Sequence, residues 1–194
     1  MIKNELRKSI CAGFLIGLSG YISLMCDNKY LSAFLFAIGL YTICIYELNL
    51  FTGMIGYISL YSDRTFAAKV LLTLYGNIIG CLMMAMFPVG EQTQSMLNNI
   101  ITDKDIYTAL YKSFLCGCLM FIAVDTYKKK NNIIGIFLCV PAFILSGMEH
   151  SIANIYYILL YDICNMTLKN LPYIIVCIIG SSMGAIFMRK LICI

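Results

Sequence analysis

Residues 146–154 read Ser-Gly-Met-Glu-His-Ser-Ile-Ala-Asn and interrupt an apolar run from Ile133 to about Tyr161. A second interruption, Glu47-Leu-Asn-Leu-Phe-Thr-Gly53, lies inside a run from about Leu31 to Tyr61. Asn49, Thr52, Gly53, Ser146, Gly147, Ser151 and Asn154 compete with or loosen helical backbone, so both segments are expected to unwind. Irregular backbone at membrane depth is tolerated only inside protein or along a cavity. Two long apolar runs opened at their middles therefore predict a membrane domain with two broken helices around a central site.

The rest of the chain agrees. Of its 194 residues, 61% are hydrophobic and 12% charged, against about 25% charged in a soluble domain. Mean hydropathy is +0.85. This excludes an ordinary soluble enzyme and a disordered chain. Four further apolar runs are read: Ile10–Cys26, about Val70 to Phe87 closed by Pro88, about Tyr111 to Val124, and about Leu171 to Met188. The first resembles a signal peptide but lacks a clear cleavage site and is followed by five similar runs, so it is read as a retained span. Six spans of roughly 20 residues use about 120. Residues 1–194 are thus expected to form one transmembrane domain, with no soluble catalytic domain.

Basic residues assign the sides. Lys3, Arg7, Lys8, Arg64, Lys69, Lys128, Lys129, Lys130, Arg189 and Lys190 fall on one side of such a topology; Lys29, Lys104, Lys112 and Lys169 fall on the other. Basic loops stay inside, so both termini are expected to be cytoplasmic, in a cell membrane. The net charge of +4 is membrane-flanking charge and implies no nucleic-acid partner. There is no tryptophan, so interfacial belts would come from tyrosines near span ends, such as Tyr30, Tyr57, Tyr61, Tyr107, Tyr127 and Tyr173. Of the ten cysteines, Cys11, Cys44, Cys81, Cys139 and Cys177 sit within apolar runs and read as buried small apolar residues. Cys116 and Cys118 would face nearly opposite ways on a helix, so no metal site is expected there. No cofactor is expected either.

The chain also repeats itself. Lys8-Ser9 precedes Gly13, and Lys112-Ser113 precedes Gly117; Asn77-Ile-Ile-Gly80 echoes Cys177-Ile-Ile-Gly180. The interrupted runs lie at matching places between these markers, with Glu47 aligned to Glu149. Repeat one covers about 8–87 and repeat two about 110–190. Each has three spans, an odd number, so the halves would enter the membrane from opposite sides, as an inverted repeat.

Glu47, Glu149 and His150, the only histidine, lie deep in apolar sequence. A charge at mid-membrane is costly and persists where it meets protein, water or a substrate path. His150 reads as a pathway residue. Glu149 reads first as a carboxylate holding backbone amides freed by the break, within the same pathway. Glu47 would lie at the mouth of the path or pair with a neighbouring helix. Half-helix N-termini aimed at the centre favour a small anion over a cation.

These residues resemble the formate/nitrite transporter family. Leu50-Phe-Thr-Gly53 is similar to its second-helix loop, Gly76-Asn-Ile-Ile-Gly80 to its third-helix motif, and Ser146–Asn154 closely to its fifth-helix signature. The likeness runs from about Lys8 to Arg189. It implies an all-α, aquaporin-like fold with helices 2 and 5 broken, assembled as a homopentamer in the lipid bilayer. It implies small monovalent anions as substrates: formate, nitrite or hydrosulfide. His150 matches the central pore histidine, Thr52 the loop threonine, and Asn154 a polar residue beside the histidine. Phe36, Leu40 and Phe143, with Leu50 and Phe51, match positions lining hydrophobic constrictions. Three positions depart: Asn49 stands where the family has glutamate, and Gly117 and Cys177 where it has asparagine.

The mechanism this suggests is proton-linked. Lysines and half-helix ends gather the anion. The falling dielectric raises the pKa of the substrate acid. A proton from water or through His150 makes a neutral acid that passes the apolar gates. A passive channel for neutral solutes is the alternative, but the Asn-Pro-Ala pairs of aquaporins are absent. A membrane redox enzyme would need paired histidines or clustered exposed thiols.

Overall fold

The computed structural model describes residues 2–59, 64–91, 93, 94, 97, 105–165 and 170–192. All the regular structure among them is helical. In chain order these are α1 (Ile2–Leu24), α2 (Lys29–Ile45), a single turn α3 (Phe51–Met54) continued as a 3₁₀ segment (Ile55–Ser59), α4 (Arg64–Ala85), α5 (Ile106–Lys130), α6 (Ile134–Leu145), α7 (Ser151–Asn165) and α8 (Leu171–Ile192). Local chemistry marks several ends. Asn28 accepts the amides of Tyr30 and Leu31 at the start of α2. Asp105 accepts that of Thr108 at the start of α5. Asn131 closes α5 in the left-handed region at φ 48°. The helices overrun the apolar stretches: α1 begins eight residues before Ile10, and α5 extends past both ends of Tyr111–Val124. Helices α4, α5 and α8 are each long and apolar enough to cross a membrane.

The tightest packing joins α1 to α4 and α5 to α8, and it explains the repeat markers. A methyl added to Gly13 would strike the backbone of Asn77, and one on Gly80 the backbone of Ile10. In the other pair, a methyl on Gly117 would strike the Ser181 backbone, and one on Gly184 that of Phe114. Between apolar helices, small residues that let backbones meet supply the association. Contacts climb together along each pair: Ser9 meets Gly76 and Gly17 meets Met84, while Ser113 meets Gly180 and Cys118 meets Gly184. Both pairs are therefore internally parallel. Between pairs the direction reverses, since Lys69 at the start of α4 and Lys128 at the end of α5 line one cavity. The starts of α1 and α4 thus share an end of the bundle with the ends of α5 and α8. That gathers the ten basic residues assigned to one side; of the other four, Lys104 and Lys169 lie outside the described residues, as does Tyr61.

The two interruptions have one backbone design. Leu48 donates to the carbonyl of Ile43 and Glu47 to that of Cys44, with Glu47 at φ 49°. Met148 donates to Phe143 and Gly147 to Ile144, with Gly147 at φ 64°. Each is a helix closed by a left-handed residue and two reversed hydrogen bonds. The structural counterpart of Glu47 is therefore Gly147, two residues from the Glu149 that sequence alignment chose. Asn49 corresponds to Glu149 and Leu50 to His150. Glu47 is exposed at the cavity mouth.

Cysteine burial divides. Cys81, Cys116, Cys118, Cys139 and Cys177 are buried, but Cys44 is half-buried and Cys11 exposed. Cys11 looks outward from α1, so its reading as a buried residue is corrected. Much of the remaining surface is apolar, including Leu71, Leu138, Met183 and Phe187.

Candidate functional site

His150 is the residue immediately before α7, and it is 2% exposed. Its Nδ1 accepts the amide N–H of Ala153 at 3.1 Å. An accepting Nδ1 carries no proton, so in the neutral ring the hydrogen sits on Nε2. Nε2 lies 3.2 Å from Thr52 Oγ1. His150 thus caps its own helix with one nitrogen and offers a donor to α3 with the other. The start of α7 adds the partial positive charge of a helix N-terminus at the same place.

Thr52 is presented by a segment pinned from below. Asn77, fully buried on α4, accepts the Phe51 amide through Oδ1 at 2.9 Å. Its Nδ2 donates to the Asn49 carbonyl at 3.0 Å and the Ser9 carbonyl at 2.7 Å. One side chain therefore ties α1, α4 and the first interruption together and starts α3. In the second half Cys177 stands at the matching position. It accepts from Asn154 at 3.3 Å, while Ser151 and Ser181 join hydroxyls at 3.0 Å beside the break.

An apolar gate adjoins the histidine. The Phe143 ring stacks on His150 with centroids 5.5 Å apart, and Phe36 meets Phe143 edge-on at 5.9 Å. Towards the basic end lies a cavity of about 680 Å³. Leu50, Ile43, Gly53, Met54 and Val124 line it with Glu47, Asn49, Lys69 and Lys128. Asn49 Nδ2 donates to Glu5 Oε2 at 2.9 Å, and Lys69 pairs with the same carboxylate at 2.7 Å. The Lys69 ammonium chiefly holds the Glu5 carboxyl below its ordinary range; burial opposes this, and the Asn49 amide adds to the lowering.

Of the residues singled out from sequence, His150, Thr52, Phe143 and Phe36 come together. Leu50 lines the cavity, Phe51 engages Asn77 through its backbone, and Leu40 is buried one turn along α2 from Phe36. Glu149 and Asn154 form a separate cluster. Asn154 Nδ2 donates to Glu149 Oε2 at 2.8 Å, and Tyr173 hydrogen-bonds the same carboxylate. Asn154 thus turns its side chain to Glu149. At the break, His150 takes the freed amide of Ala153.

The family model described as formate/nitrite transporter matches residues 2–194. The chain belongs to the formate/nitrite transporter family. Its family is one of membrane transporters and channels, and it is no enzyme. Two solved structures share the fold. A "Pentameric formate channel with formate bound" is 19% identical with a TM-score of 0.78, covering 98% of this chain and 93% of that one. An "FNT family ion channel" is 22% identical with a TM-score of 0.76, covering 96% and 85%. Curated protein sequences gave no match.

Two residues of this family member escaped sequence reasoning as parts of the site. Asn77 carried a signal, an amide inside the apolar run of α4, but was read as a repeat marker and as part of the third-helix motif, with no role at the site. Glu5 carried none, since it lies in a polar terminal segment 44 residues from its partner Asn49.

Proposed function

We propose that this protein passes a small monovalent weak-acid anion of the formate, nitrite or hydrosulfide class, linked to a proton at His150. The observation that carries the reading is the contact between Thr52 and His150 Nε2, with Nδ1 committed to Ala153. It gives a neutral donor pair beside two phenylalanine rings. The anion enters from the cavity, past Leu50, Phe51 and Leu40, and takes hydrogen bonds from Thr52 Oγ1–H and His150 Nε2–H. His150 relays a proton from vestibule water, which restores the Nε2 hydrogen as it is given up, since donation from Nε2 alone would leave an imidazolate. The neutral acid then crosses Phe36 and Phe143 and releases the proton beyond them. Glu149 and Asn154 flank this path and hold the second break open.

The architecture behind this reading is six transmembrane helices as a 3+3 inverted repeat, about 8–87 and about 110–190, in one domain. α2 with α3 and α6 with α7 form its two broken spans. The basic end faces the cytoplasm with both termini, in the cell membrane. The solved pentameric relative supports a homopentamer with one pore in each subunit.

Stopped-flow uptake into proteoliposomes tests the function. Formate, nitrite and hydrosulfide should enter faster than into empty liposomes, with the internal pH moving alongside. Uptake of glycerol with no anion flux would overturn the reading in favour of a passive neutral channel. Native mass spectrometry should give a species near five times 21.8 kDa.

A further inference from the structure

Away from the histidine, the basic end of the bundle holds a buried cation with no answering acid among the described residues. Arg189, on the last turn of α8, is 9% exposed, and its Nε and Nη1 have no hydrogen-bond partner among the described residues. Its guanidinium lies over the Tyr57 ring, 5.1 Å from the centroid. The Lys128 ammonium lies 4.7 Å from the centroid of the same ring. A ring face attracts cations but does not satisfy their N–H donors. The neighbouring carboxylate is already engaged at both oxygens: Asp125 Oδ1 accepts the Tyr57 hydroxyl at 2.8 Å, and Oδ2 pairs with Lys129 at 3.0 Å. Glu5, across the cavity, is held by Lys69 and Asn49. Buried guanidinium N–H groups left unpaired are unfavourable, and the partner that best answers Nε and Nη1 is anionic and accepts hydrogen bonds. Tyr57 and Lys128 both line the 680 Å³ cavity, so an anion can approach from there.

We propose that Arg189, with Lys128 across the Tyr57 ring, forms a second anion site at the basic end of the bundle, one that takes an oxyanion of the phosphate or carboxylate class. The chemistry fits two sources: a free oxyanion in the vestibule, or the phosphate of an anionic lipid headgroup at the membrane surface. The site shares the entry cavity with the histidine path and differs from it in charge. It holds an anion by permanent cations, whereas Thr52 and His150 offer neutral donors.

The test is binding, so it reads out whether or not the protein transports. The assembled protein is placed in zwitterionic nanodiscs, and its unfolding temperature is followed against inorganic phosphate at matched chloride ionic strength. Phosphate is too strongly hydrated to enter the apolar gate. In a second arm, phosphatidylglycerol replaces part of the phosphatidylcholine. Wild type and His150→Asn should be stabilised in at least one arm, and that arm identifies the source. Arg189→Gln and the apolar Arg189→Met should weaken the response at least about tenfold, as expected for loss of a charge-assisted partner. Lys190→Gln, at an exposed neighbour, should change it less than about twofold. Without any anion the Arg189 variants should unfold at or above the wild-type temperature, because they remove an unpaired buried charge. The proposal is overturned if neither arm stabilises the wild type, or if the response survives in both Arg189 variants. It is also overturned if those variants instead break the oligomer in native mass spectrometry, which would make a neighbouring copy the partner.

Discussion

Replacing Asn77 by alanine should collapse the first interruption while leaving the second intact. The side chain is fully buried and makes three hydrogen bonds. The Ser9 carbonyl lies within α1 and has its helical partner position four residues on. The Phe51 amide and the Asn49 carbonyl sit at a helix start and in the interruption, so they lose more. Two orphaned buried groups cost about 1–3 kcal/mol each. The variant is therefore expected to lose about 2–6 kcal/mol, a fall of roughly 5–20 °C in unfolding temperature for a chain of this size. Asn77→Asp keeps the acceptor for Phe51 but loses the donor to Asn49 and buries a charge, so it should fare no better. Thr42→Ala, which removes only a bond to the Ile38 carbonyl within α2, should stay within about 0.5 kcal/mol. The assay is thermal unfolding in nanodiscs with anion flux measured in parallel, since a freed Phe51 amide lets Thr52 leave His150. If Asn77→Ala unfolds within about 2 °C of wild type, less than about 1 kcal/mol for a chain of this size, and keeps its flux, the clamp is irrelevant and the account of how Thr52 is presented is wrong.

Three further outcomes are expected. His150→Asn keeps polarity but cannot titrate, and should pass anions with weaker proton coupling; Thr52→Ala should lower flux and leave the pH profile in place, and identical profiles and rates in all variants would make both residues structural. Glu5 has a folded pKa below its ordinary 4.5, so its ties to Asn49 and Lys69 are complete above that value and fade as pH falls through the depressed one. Unfolding temperature should therefore drop on acidification in wild type and much less in Glu5→Gln, and parallel curves would remove Glu5 from the latch. Glu47→Gly should be neutral or gain about 0.5 kcal/mol by relieving the left-handed backbone, whereas Gly147→Ala should lose about 1 kcal/mol; equal effects from the two would contradict the shared helix-end geometry.

The interruptions were legible because local composition announces them: serine, asparagine and glycine inside a long apolar run weaken the helix whatever packs around it. His150 and Thr52 were legible for the same reason, aided by a specific motif. The glycine markers were visible as a pattern, but their cause was not, since parallel packing of α1 on α4 and α5 on α8 is a fact of three dimensions. Counting residues misaligned the halves by two, because Glu47 and Glu149 look alike whereas the backbone pairs Glu47 with Gly147. Asn154 was placed beside the histidine by the family resemblance. On α7 its side chain falls towards Glu149 and Cys177 instead. Glu5 was out of reach, because only the fold brings a terminal carboxylate to the mouth of a cavity.

The helix ends at Glu47 and Gly147 are fastened by the same two main-chain hydrogen bonds. The shape of each bend is thus indifferent to the side chains that follow it. One half presents Asn49 and Leu50 where the other presents Glu149 and His150, with no change in the frame. Scaffold and cargo preference are consequently separable in evolution. Drift at four positions can alter what crosses, and how unequal the journey is in the two directions, while the bundle that carries them stays as it was.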